Sequence, residues 1–171
     1  NFPQISIFCG KIHIFKMMND KQILFIVRYR NCAWGSKDEG KFVTSEGNVY
    51  NFNLVDKSGK YDHPGTDRFM QILKDISQKE VPSQIIDKKT IQEAYSLVKK
   101  IDRKSKMVRM HAAFDSGLKS LLIYQDRNLI PLATSGDAVG SIDSNEVDQI
   151  LKILGRVNFY KLDLFGDNMS P

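Results

Sequence analysis

Residues 33–52 read AWGSKDEGKFVTSEGNVYNF, from Ala33 to Phe52, and this stretch decides the fold. It holds the only tryptophan, Trp34, and glycines at 35, 40 and 47. Gly35 to Gly40 reads as a polar loop and Lys41 to Thr44 as a short strand. Ser45-Glu46-Gly47-Asn48 reads as a β-turn with Gly47 placed for a positive φ. From Val49 to Val55, the apolar residues Tyr50, Phe52 and Leu54 alternate with Asn51 and Asn53, the pattern of a half-buried strand. Together these features specify a tight β-meander that offers no nucleophile, no ligand cluster and no phosphate loop.

Upstream, Ile5 to Phe15 alternates as a strand, with Gly10 marking a bend. Residues 1–16 therefore form an expected N-terminal extension strand to a single domain spanning 1–171. Gln22 to Trp34 predicts a long strand with Phe25, Val27 and Tyr29 on one face and Leu24, Ile26, Arg28 and Arg30 on the other. Downstream, the loop Asp56 to Gly65 precedes a helix capped by Thr66 or Asp67, with Phe69, Ile72, Leu73 and Ile76 inward. A second helix is expected from Lys88 to Arg103, and a strand from Met107 to Phe114. Leu121 to Tyr124 and Leu129 to Thr134 read as a hairpin about Asp126-Arg127-Asn128. Asp143 with Glu146 has capping-box spacing for a last helix, Gly155 marks its stop, and Val157 to Leu164 reads as an edge strand. The elements do not alternate as βαβ units would. The expected class is α+β, an antiparallel sheet (meander plus hairpin) with about three helices packed mainly on one face.

Composition limits function without choosing it. A hydrophobic share of 42% and a charged share of 26% describe a chain able to bury a core, not a disordered one. The net charge of +5 comes from 25 basic against 20 acidic residues, a balance that permits nucleic acid, anionic membrane or acidic protein as partner. No apolar run approaches a membrane span, and the first fifteen residues lack the pattern of a signal peptide. Cys9 and Cys32 either bridge neighbouring strands or sit as two buried thiols.

The motifs that carry chemistry are incomplete. Gly35 to Lys41 matches seven positions of a phosphate-binding loop, but Phe42 stands where Ser or Thr must hold magnesium, and a strand follows where a helix is required. Asp56, Ser58, Asp62, His63 and Asp67 make an acidic loop whose spacing fails as a calcium site, since Lys60 takes a ligand position. Neither a metal nor another cofactor is expected. His13, His63 and His111 allow an alternative as a small basic ribonuclease, with His63 and His111 as acid and base and a lysine beside the phosphorane. Ser116 or Ser135, a histidine, and Asp115 or Asp137 give a weaker triad, without the Gly-x-Ser-x-Gly context. Lys99, Lys100, Arg103, Lys104, Lys106 and Arg109 form the densest basic run. Without interleaved aromatics it reads first as a solvated helix end, and second as a surface for an anionic partner, whether nucleic acid or an acidic protein.

The segments Asn31-Cys32-Ala33-Trp34-Gly35 and Ser45 to Phe52, with Ala113 to Gly117, Ser135-Gly136-Asp137 and the Asn145 to Leu154 helix, resemble a group of small bacterial proteins, many lipoprotein-like. That group has no assigned catalytic residues to carry over. Ser36, Asn53 and the lack of a lipobox cysteine depart from it, so lipid anchoring is not carried over and the cytoplasm is preferred to the envelope. By analogy with small bacterial proteins of this kind, the resemblance implies a non-enzymatic immunity protein that occludes the active site of a toxin partner. The expected contacts are Trp34, Lys37, Asp38 and Glu39 of the polar loop, Asp62 and His63 of the acidic loop, and Arg28 and Arg30 facing outward.

Overall fold

The computed structural model describes residues 7–8, 11–12, 22–31, 36–55, 64–102, 105–111 and 117–160. Two dipeptide strands, β1 (Ile7–Phe8) and β2 (Lys11–Ile12), pair antiparallel as a ladder separate from the main sheet. The main elements in chain order are β3 (Ile23–Asn31), β4 (Lys37–Thr44), β5 (Asn48–Asn53), α1 (Thr66–Lys79), β6 (Gln84–Ile85) and α2 (Lys88–Val98). They are followed by β7 (Met107–His111), β8 (Leu118–Gln125), β9 (Asn128–Gly136), β10 (Ala138–Ile142) and α3 (Asn145–Arg156). The order across the eight-stranded sheet is β6-β5-β4-β3-β8-β9-β10-β7, with every pairing antiparallel. The class is α+β: an antiparallel sheet with three helices.

The sheet carries a core on each face. On one, Phe25, Val27, Val43, Leu121, Ile123 and Leu132 meet Ile91 and Ala94 of α2 and Val147, Ile150 and Leu154 of α3. On the other, Ile26, Phe42, Tyr50, Phe52 and Leu122 meet Phe69, Met70 and Leu73 of α1. Two helices thus share one face and α1 covers the opposite one. Burial of a large apolar side chain stabilises by roughly 1.5–3 kcal/mol, so the three α1 residues supply about 6 kcal/mol toward docking that helix.

Period-2 alternation explains most of this partition, and irregularities explain the rest. The β3–β4 ladder shifts register between Ile23 and Phe25, which places Leu24 in the same core as Phe25 and Ile23 in the other. Strict alternation would put Leu24 with Ile26. A second shift, where Leu121 pairs with Ala133 but Leu122 pairs with Pro131, gives β9 an extra residue and lets Leu132 and Ala133 enter one core.

The meander turn forms as expected. Gly47 has φ 82°, and a Cβ there would lie 2.0 Å from the Ile86 carbonyl oxygen, so no other residue fits. The Asp126-Arg127 turn also forms, with φ of 51° and 62° at its two central residues, the geometry that matches hairpin twist.

The expected polar loop from 35 to 40 is overturned over Lys37 to Gly40, because β4 begins at Lys37 and pairs with β3 as far as Asn31↔Lys37; Gly35 lies outside the described residues. The helix caps move as well. α1 starts after Gly65 and has no side-chain cap, while α3 is capped by Ser144, one residue beyond Asp143. Ser144 Oγ accepts the Glu146 backbone N–H at 3.2 Å, and extended backbone at Ser144 sets up that bond. α2 stops at Val98 rather than Arg103, and Asp87 caps it by accepting the Thr90 N–H at 2.9 Å. Of the expected edge strand Val157 to Leu164, residues 157–160 are not strand but follow the helix as a turn, with Phe159 and Tyr160 in the core, and residues 161–164 lie outside the described residues.

Candidate functional site

On the α1 face, beyond the apolar contact of that helix, the sheet surface turns polar. Ile26, Arg28 and Arg30 point to this face from β3, and each has a defined neighbour across β4. Arg28 lies opposite Gly40, and Arg30 opposite Asp38. Gly40 contributes no side chain, and none could be added, since a Cβ would stand 2.0 Å from the Val27 carbonyl oxygen and 2.9 Å from the Phe52 ring. The Asp38 carboxylate reaches diagonally to Arg28: Nε donates to Oδ1 at 2.7 Å and the Nη2 amine to Oδ2 at 2.5 Å. The Arg28 guanidinium also lies 4.4 Å from the Phe69 ring centroid, which ties the sheet to α1.

This bidentate pair is buried, with Arg28 at 9% and Asp38 at 1% relative exposure. The expectation that Arg28 faces outward and that Asp38 belongs to an exposed loop is therefore corrected. A buried charge persists only when paired and hydrogen-bonded, and each of these residues is the reason the other can be inside. Arg30 differs, for its side chain is exposed at the end of the ladder and has no carboxylate partner among the described residues. Lys37 and Glu39 are exposed too, but alternation sets them on the opposite face from Asp38. The loop-like patch expected from sequence is thus the rim of a strand pair, with Arg30 on one side and Lys37 and Glu39 on the other. Trp34, Asp62 and His63 lie outside the described residues, as do His13, Cys9 and Cys32. His111 is in β7, at the edge of the sheet, opposite Ala138.

Between this basic surface and the start of α1 lies a cleft of about 510 Å³. Its walls are Arg28 and Arg30 of β3, Ser120 and Leu122 of β8, Pro131 and Thr134 of β9, and the Pro64-Gly65-Thr66 entry to α1, with Leu118 and Leu129 completing it. Thr134 stands across from Ser120 on one side and Gly140 on the other. It is 1% exposed, and its Oγ1 is buried without a hydrogen-bond partner among the described residues. Helix α1 begins without a capping side chain, and its first internal bond runs from the Phe69 N–H to the Gly65 carbonyl. The N–H groups of Thr66, Asp67 and Arg68 consequently lack intrahelical acceptors. Sequence reading missed Ser120, Thr134 and the α1 entry. The one available signal was Gly65, a residue before the helix that has no side chain to cap it.

The opposite face carries a second basic pair. Lys41 Nζ donates to the Asn158 carbonyl at 3.1 Å and sits 5.3 Å from the Phe159 ring, while Lys119 Nζ is 5.5 Å from the Tyr160 ring. Burial, and after it the charge of Lys119, lowers the Lys41 pKa from its ordinary value. Among the described residues no group of three His, Cys, Asp or Glu side chains is arranged to hold a metal, and no helix is long and apolar enough to cross a membrane.

No protein-family model, curated protein or solved structure matches the chain.

Proposed function

We propose that this protein is a non-enzymatic protein-binding domain, an immunity-type inhibitor that neutralises a bacterial toxin by occluding its active site. The observation that carries the proposal is the exposed Arg30, set on a rigid strand pair beside the buried Arg28–Asp38 clamp. An arginine without an internal partner is a strong interface anchor, and a preformed sheet loses little freedom when a partner lands on it. Lys37 and Glu39 stand on the other side of that strand end, so a partner gripping the rim meets charges of both signs, which favours a complementary pattern over a uniformly charged partner such as nucleic acid. Arg28 and Asp38 support the rim from inside and make no direct contact.

Mixing the purified protein with the product of the gene beside its own tests this reading. A complex that co-elutes in gel filtration and silences the partner's toxicity is the expected result, with weakened binding in Arg30→Ala. Separate elution of the two proteins overturns it.

A further inference from the structure

We infer that the cleft at the start of α1 is a binding site for a small organic oxyanion, a carboxylate or phosphate carried on an apolar body. Three independent features converge there. The uncapped start of α1 presents free N–H groups and the positive end of the helix dipole. Arg30, exposed and in the lining of the same cleft, supplies a guanidinium with no carboxylate partner among the described residues. Thr134 supplies a hydroxyl that is buried, 1% exposed and unpartnered, in the wall of that cleft. A buried polar atom without a partner is costly, and of the two threonine hydroxyls in this state among the described residues, Thr44 and Thr134, only Thr134 lies in the cleft wall.

The remaining wall sets the ligand's other half. Leu122 and Pro131, paired with each other further along the sheet, and Leu129 offer apolar surface away from Arg30, while Leu118 stands directly beside Arg30. A volume of about 510 Å³ is far more than a bare phosphate or acetate fills, and lies in the range of sites for small organic molecules. Arg28 lines the cleft but its charge is already met by Asp38, so Arg30 and the helix start bear the anion. Asp67 in the first turn of α1 is exposed and is not part of the wall.

The test uses the whole chain in an anion-poor zwitterionic buffer, with hexanoate and hexyl phosphate as probes and hexanol as the uncharged control. Backbone amide spectra locate the binding. Saturable shifts of Thr66, Asp67, Arg68 and Thr134 with either anion, and none with hexanol, are expected. Whichever anion binds more tightly names the headgroup. Arg30→Gln, at an exposed position, should weaken binding roughly tenfold, the loss expected for a charge-assisted hydrogen bond, and Thr134→Val about threefold. Absence of saturable shifts with both anions at about 20 mM overturns the inference, because so weak an affinity is below any specific site. Equal binding by Arg30→Gln, or equal binding of hexanol, overturns it as well. The site shares Arg30 with the toxin-partner reading, but the two fail separately, since anion uptake is read on the isolated protein and complex formation on the mixture.

Discussion

Removing one half of the Arg28–Asp38 pair should be among the most damaging single changes in this domain, while removing both halves should be far milder. In Asp38→Ala, the guanidinium at 9% exposure loses two short hydrogen bonds and keeps its charge between Phe69 and the sheet, largely out of water. Breaking a buried pair from one side costs about 3–5 kcal/mol, because the surviving charge stays buried after losing its bidentate partner. In Arg28→Met, the stranded carboxylate of Asp38, 1% exposed, incurs a similar loss, with about 1 kcal/mol more from the cation–π contact over Phe69. The double variant Arg28→Met/Asp38→Leu replaces both charges by apolar groups of similar bulk, a change that is often neutral. A double-mutant cycle in urea should therefore return a coupling of about 3 kcal/mol or more, with the double variant more stable than either single one. In thermal unfolding, each single change should lower the midpoint by roughly 10 °C for a chain of this size. Single-variant losses below about 1 kcal/mol, or strictly additive losses in the double variant, would refute the account, since those are the values of a solvent-exposed pair.

The other expectations concern packing, caps and pH. Gly40→Ala should cost about 3 kcal/mol, the upper end for forced overpacking, because the added Cβ meets the Val27 carbonyl backbone at 2.0 Å; chemical denaturation measures it. Thr134→Val, in the absence of ligand, should stabilise by about 1 kcal/mol in the same assay, since it removes a buried hydroxyl that has no partner. Ser144→Ala should lose about 1 kcal/mol through the α3 cap. The carboxyls of Asp87 and Glu146 are held below their ordinary values, the first by the Thr90 backbone and side chain and the second by the Ser144 hydroxyl. Because their folded pKa values are depressed, the stability they add is present above the unfolded values and lost as pH falls through the folded ones. Unfolding midpoints measured below about pH 4 should drop less steeply in Asp87→Asn than in the natural chain.

Local patterns were legible wherever a single residue type had only one conformational solution. Gly47 in the meander turn, the Asp126-Arg127 turn, the Phe69 and Leu73 stripe of α1 and the Val147, Ile150 and Leu154 stripe of α3 all follow from nearest-neighbour rules. Errors cluster where a residue's environment comes from elsewhere in the chain. Lys37 to Gly40 carries the composition of a loop, yet it is strand because β3 lies alongside and Arg28 meets the one charge that points in. Leu24 and Leu132 escape alternation through bulges, which leave no mark in composition. Ser144 rather than Asp143 caps α3 because the extended backbone there places its hydroxyl under the Glu146 N–H.

By itself the sequence determined an α+β domain with an antiparallel sheet, since hydrophobic period and turn chemistry are local properties written into consecutive residues. Only the tertiary structure decided which face α1 covers, that Arg28 is buried while Arg30 is exposed, and that Thr134, Arg30 and the uncapped start of α1 meet around one cleft. These depend on β8 inserting beside β3, which brings together residues about a hundred positions apart along the chain. A side chain's charge is fixed by its own chemistry. Whether that charge is paired inside or offered to a ligand depends on long-range neighbours, and their free energies are settled only when the whole sheet closes.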